Sequence, residues 1–144
     1  MIILDTNVLS ALMQANADPT VVAWLDDQPA DAIWITSITL FEARYGLDLL
    51  PAGQRKTLLQ QRFSSLLRLE LENRVLMLDV NAAVQAATLA ATRKTQGRPV
   101  DMRDTFIAGI ALARRATVAT RNVRHFDELT VPVVNPWATV QGQP

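Results

Sequence analysis

Three carboxylates stand where packing alone favours an apolar side chain. Asp5 follows Ile2-Ile3-Leu4, a short apolar run that predicts a buried strand ending on the acid. Glu42 falls inside the stripe Ile38, Phe41, Tyr45 and Leu49 of a predicted helix. Asp104 precedes Ile107, Ala108 and Ala111 by three, four and seven residues, and so shares their helical face. An isolated buried carboxylate favours protonation over charge, and three at one end of a sheet would repel one another. A hard divalent cation, Mg²⁺ or Mn²⁺, relieves that cost.

Each acid also has an ordinary structural alternative. Asp5 can cap a following helix. Glu42 can close a capping box with Thr39. Asp104 can favour the positive end of its helix, as Asp101 does. The combination is more informative than its members. Thr120-Arg121-Asn122, after a predicted strand, brings a fourth polar element to the same edge. Asn122 there would orient a water or make an Asx-turn. His125, the one histidine, lies in Arg124-His125-Phe126, where phosphate contact and a non-catalytic role are both open. Arg114, Arg115, Arg121 and Arg124 would form either a basic rim for a phosphate backbone or a solvated face.

The elements that must position these residues alternate. Helical segments are expected over 8–13 and 20–25, the second with Asp18 as cap and Pro19 at its start. A second strand is Ile33-Trp34-Ile35, followed by Thr36-Ser37 and a helix over 38–50. Residues 51–53 break the chain before a longer helix over 54–71. A third strand is expected over 75–78. Asp79 then caps a helix with an alanine-rich seam at Val80, Ala83, Val84 and Ala87, ended by Gly97 near Pro99. The helix carrying Asp104 starts at 101–103, and strands follow over 118–120 and 131–134. Strands alternating with helices predict a parallel sheet covered by helices. Tyr45, Leu49 and Leu50 are placed either in the core or in a dimer seam.

Composition narrows the function further. The 144 residues are expected to form one domain, 1–144, with the last few as a tail. Absence of cysteine excludes disulfides and thiolate-bound zinc or iron–sulfur clusters, and one histidine excludes a two-imidazole site. Fourteen basic and fourteen acidic residues cancel, so nucleic-acid binding would need local patches. Asp5 interrupts the first apolar run, no basic segment precedes it, and no stretch approaches the roughly 18 apolar residues of a membrane span. The expectation is a cytoplasmic protein without a membrane partner.

Leu4-Asp-Thr-Asn7, Glu42 within Thr39-Leu-Phe-Glu-Ala-Arg-Tyr-Gly46, and Asp104-Thr-Phe-Ile-Ala108 resemble the motifs of PIN-domain ribonucleases. Ala119-Thr-Arg-Asn122 and Val134-Asn-Pro-Trp137 are similar to VapC-type toxins of the FitB-like group. The resemblance spans nearly the whole chain, in order. It implies a three-layer α/β/α domain with a mainly parallel sheet of four to five strands, and Mg²⁺ or Mn²⁺ held by the acids. It also implies a type II toxin–antitoxin pair: a toxin homodimer bound by a cognate antitoxin that alone contacts operator DNA. Asn122 stands where many members carry a fourth acid, and it adds no charge that would help hold a second metal. Asp127 is nearby but out of register.

The resemblance makes the expected reaction endoribonucleolytic. Asp5 and Asp104 would bind the cation, and Glu42 would act through water or help deprotonate it. Thr6 and Asn122 would steady carboxylates or water, and Arg121 and Arg124 would touch the RNA backbone. The main alternative is a catalytically weak scaffold that binds RNA or a partner protein without turnover. A phosphatase with Asp5 as nucleophile lacks the second aspartate such enzymes carry, since position 7 is Asn7. A dinucleotide-binding domain lacks a glycine-rich loop after the first strand.

Overall fold

The short, uniformly apolar strands are explained by two cores, one on each face of the sheet. Ile3 and Val118 pack into one core, while their chain neighbours Leu4 and Ala119 pack into the other. A sheet buried on both faces needs helices on both, the arrangement of parallel α/β proteins. In the computed structural model, which describes residues 1–138, the strands are β1 (Ile2–Leu4), β2 (Ile33–Thr36), β3 (Val75–Leu76), β4 (Thr117–Ala119) and β5 (Val133–Val134). Their order is β3-β2-β1-β4-β5, and every pairing is parallel. This is the expected α/β/α architecture. The tail expected at the end of the chain lies outside the described residues.

Helices α1 (Thr6–Met13), α2 (Pro19–Asp26), α3 (Ser37–Leu49) and α4 (Gln54–Ser65) feed the core around Leu4. Helices α5 (Val80–Thr95) and α6 (Met102–Arg114) pack on the other face, around Ile3. Among the described residues no helix is long and apolar enough to cross a membrane.

Three local expectations need correction. The helix expected over 54–71 leaves α geometry at Leu66 and finishes as a π-helical turn, Leu66–Glu70, in which the Leu71 N–H donates to the Leu66 carbonyl five residues back (2.9 Å). The seam of α5 is rotated. Val80 and Val84 are exposed, and the buried line is Ala82, Ala86 and Arg93, because α6 approaches from that side. The apolar stripe of α3 also faces outward: Phe41, Tyr45 and Leu49 are exposed, while Leu47 is buried and Leu40, Ala43 and Leu50 pack against the core. Helical periodicity marks an apolar face but not what covers it.

Gly109 sets how closely α5 and α6 approach. A Cβ there would lie 2.6 Å from the Ala82 carbonyl oxygen, 2.7 Å from the Ala86 Cβ and 2.8 Å from the Ala86 nitrogen. Two of these are backbone atoms that no rotamer change can move. Gly109→Ala is expected to cost about 3 kcal/mol or more, at or beyond the upper end of ordinary overpacking. Urea unfolding checks this, and a loss below about 0.5 kcal/mol would contradict such a tight contact.

Candidate acidic site at the sheet switch point

Strand order reverses at β1. The chain moves outward through β2 and β3 on one side, then returns to build β4 and β5 on the other. Such a switch point leaves a crevice at the carboxyl ends of the strands. Asp5 is the residue after β1, and its N–H donates to the Ala119 carbonyl at the end of β4 (2.9 Å). Leu4 pairs with Ala119, so the next residues, Asp5 and Thr120, lie side by side.

Asp5 is only 3% exposed. Its Oδ1 accepts from the Thr6 N–H (2.8 Å), which also makes Asp5 the cap of α1. Its Oδ2 accepts from the Thr120 hydroxyl (2.7 Å) and the Asn7 amide (3.2 Å). Asn7 ties the edge together from its other end, since its Oδ1 accepts from the Arg121 N–H (3.1 Å).

Glu42 reaches the crevice from α3. Thr36 caps that helix by accepting from the Thr39 N–H (3.1 Å), so Glu42 lies one turn further in and closes no capping box. Its Oε1 instead accepts from the Thr6 hydroxyl (2.8 Å), and its Oε2 stands 3.5 Å from the Arg103 guanidinium. Asp104 arrives in the first turn of α6, where the helix dipole favours an anion. Asp101 caps this helix by accepting from the Arg103 N–H (2.8 Å). The Asp104 Oδ2 lies 2.7 Å from His125 Nδ1, on the single 3₁₀ turn Val123–His125 that follows β4.

Asp104 and Glu42 lie near enough to Asp5 for their charges to act on it. Burial pushes the Asp5 carboxyl above the ordinary carboxylate range, and the negative charges of Asp104 and Glu42 push it further, against hydrogen bonds from Thr120 and Thr6 that lower it. On the rim, the Arg103 side chain bonds to Asp101 and holds that carboxyl below the ordinary range.

No three carboxylate or imidazole side chains among the described residues stand close enough to clasp an ion as placed. Two of the acids are engaged with protein partners, Asp104 with His125, and Glu42 with Thr6 and Arg103. The donor chemistry still fits a hard divalent cation, because the crevice presents carboxylate oxygens whose mutual repulsion already registers at Asp5.

Thr6 lies between two acids, bonded through its backbone to Asp5 and through its hydroxyl to Glu42. Asn122 meets this network through its backbone, donating its N–H to the Thr120 hydroxyl (3.0 Å), and the residue itself is exposed. The Arg121 guanidinium stacks 4.8 Å from the Trp137 ring centroid, and Arg124 is exposed beside His125. Arg114 and Arg115 are not on this rim. They end α6 ten residues beyond Asp104, roughly 15 Å along the axis. Asp127 pairs with Arg98 (3.4 Å).

Sequence reasoning brought Thr120 and Asn7 to this edge without a role of their own, and missed Arg103 and the Asp104–His125 contact. Thr120 was visible as the residue in register with Asp5 once the two strands are paired.

A family model described as "PIN domain" matches residues 2–131. The chain belongs to the PIN-domain family. It is 39% identical over 137 residues to the VapC ribonuclease Y4jK of Sinorhizobium fredii, covering 95% of this chain and 98% of that protein. It is 35% identical to the toxin FitB of Neisseria gonorrhoeae, covering 95% of this chain and 99% of FitB. Among solved structures, FitAB bound to an IR36 DNA fragment superposes with a TM-score of 0.89 at 34% identity, over 99% of this chain and 100% of that one. In this PIN domain, then, the acidic crevice sits within a fold shared along its whole described length.

A raised carboxyl holds its proton more tightly in the folded than in the unfolded state. Its stabilising effect is present below the ordinary carboxylate pKa and is lost as pH rises through the raised value. In metal-free protein, Asp5→Asn is therefore expected to flatten the fall in stability above about pH 4. Thermal melts across that pH range test this; a variant curve parallel to the parent's would contradict the assignment.

Proposed function

We propose that this chain is a metal-dependent endoribonuclease, acting in the cytoplasm as the single-domain toxin of a type II toxin–antitoxin pair. The observation that carries this reading is the buried Asp5 carboxylate at the switch point, linked through Thr6 to Glu42 and lying on the same edge as Asp104 at the start of α6. The names of the relatives, a VapC ribonuclease and the toxin FitB, support the same class.

Asp5 and Asp104 would hold Mg²⁺ or Mn²⁺. Such an ion, when bound, acidifies a water and stabilises charge on a phosphate under in-line attack. The rest of the work falls to the chain. Thr120, Thr6 and Asn7 fix the orientation of the Asp5 carboxylate. Thr6 also holds one Glu42 oxygen, which leaves the other to accept a proton from the attacking water once Arg103 moves aside. Asn122 steadies the Thr120 hydroxyl, and Arg121 and Arg124 supply positive charge for the RNA backbone.

The FitAB structure contains a complex bound to DNA. By extension, this chain would pair with a cognate antitoxin and meet operator DNA only through it. The exposed face of α3, where Phe41 and Tyr45 stack at 5.7 Å beside Leu49, suits coverage by the antitoxin or by the second copy of a homodimer. A catalytically weak scaffold is the second reading, favoured by Asn122 in place of an acid and by the lack, among the described residues, of three acids placed to clasp an ion.

Incubating purified chain with RNA and Mg²⁺ or Mn²⁺ decides between them. Cleavage is expected to stop with a chelator and to fall at least about 100-fold in Asp104→Asn. Metal-dependent cleavage that survives the substitution would overturn the roles assigned to these acids, and an inactive parent would favour the scaffold.

A further inference from the structure

Arg93 is the most buried cation of the described residues, at 2% exposed, and it lies outside the acidic crevice. It projects from the last turn of α5 on the same line as Ala82 and Ala86. Every partner of its guanidinium belongs to α6 or to the segment after β4. Nη1 donates to the Thr105 hydroxyl (2.9 Å), Nη2 donates to the His125 carbonyl, and Nε pairs with Glu128. Thr105 is the residue after Asp104, and His125 is the residue whose ring meets Asp104 (2.7 Å). One rigid, planar fork thus grips both sides of the Asp104–His125 contact.

The fold alone does not call for an arginine there. Burying a guanidinium is costly and its charged partner Glu128 is itself exposed, so an apolar side chain of similar size would fill the space at less cost. What a hydrocarbon cannot do is fix the His125 carbonyl and the Thr105 hydroxyl at set angles to each other. His125 is otherwise held by the short bond pattern of one 3₁₀ turn, in which its N–H donates to the Asn122 carbonyl (3.0 Å).

We propose that Arg93 is a positioning residue of the acidic site, setting the aim of the Asp104 carboxylate by clamping His125 and Thr105 in one arrangement. The proposal rests on the reading of Asp104 as a cation-holding acid for its functional meaning, but the clamp itself exists without metal or RNA. Arg93 touches neither substrate nor the reacting atoms. Its effect passes through the His125 backbone to the imidazole, and from the Nδ1–H donor to the carboxylate.

Because the chain has one histidine, its imidazole ¹⁵N spectrum reports on His125 alone. The test records that spectrum for metal-free parent, Asp104→Asn, Arg93→Met and Arg93→Lys, with circular dichroism to verify folding. Asp104→Asn defines the signal of the lost contact. Arg93→Met is expected to stay folded and to shift the Nδ1 resonance most of the way to that reference, with Arg93→Lys between them. A folded Arg93→Met whose Nδ1 resonance matches the parent's would overturn the proposal. Should Arg93→Met fail to fold, Thr105→Val and Glu128→Gln each remove one arm of the clamp; a shift in either supports it, and no shift in both rejects it. No RNA or metal enters these spectra, so an inactive parent would sink the ribonuclease reading while the spectra still decided for or against the clamp.

Discussion

A carboxylate buried at the end of the central strand is the constraint around which the site is arranged. Leaving Asp5 charged in that place is costly, and three hydrogen bonds, from the Thr6 N–H, the Thr120 hydroxyl and the Asn7 amide, only partly offset the cost. Glu42 and Asp104 add to it. A fold selected for stability alone would place a neutral side chain there, so the acid's position points to chemistry.

The architecture explains how residues 37 and 62 positions apart meet. Parallel strands put their carboxyl ends at one edge, and the reversal at β1 opens that edge between β1 and β4. Helix α3 then leaves β2 at the same edge, carrying Glu42. Helix α6 begins there with Asp104 and runs back toward the start of β4, held close to α5 by the absence of a side chain at Gly109. Distance from the edge separates function from scaffold along one helix: Asp104 in its first turn faces the crevice, and Arg114 and Arg115 at its far end do not.

The strand ending on Asp5, the alternation of strands and helices and the parallel sheet were legible in the sequence because burial on both faces leaves apolar runs and caps leave polar ones. The three acids were legible as polar residues on apolar faces. For Glu42 the logic was partly accidental, since the stripe of Phe41, Tyr45 and Leu49 that framed it faces outward. What stayed hidden depends on pairing or rotation. The role of Thr120 needs the register of β4 against β1. The true seam of α5 needs the direction from which α6 approaches. The His125 contact with Asp104 needs the placement of a single 3₁₀ turn, and Arg93 looked like one more charge on a helix.

The central claim is that Asp5 and Asp104 hold one cation with Glu42 beside them, although each has a protein partner in this structure. Calorimetric titration of the purified chain with Mn²⁺ tests it most directly. Saturable binding in the parent, weakened at least about tenfold by Asp104→Asn and by Asp5→Asn alike, is the predicted result. Absence of binding heat in the parent, or equal affinity in the parent and both variants, would contradict it.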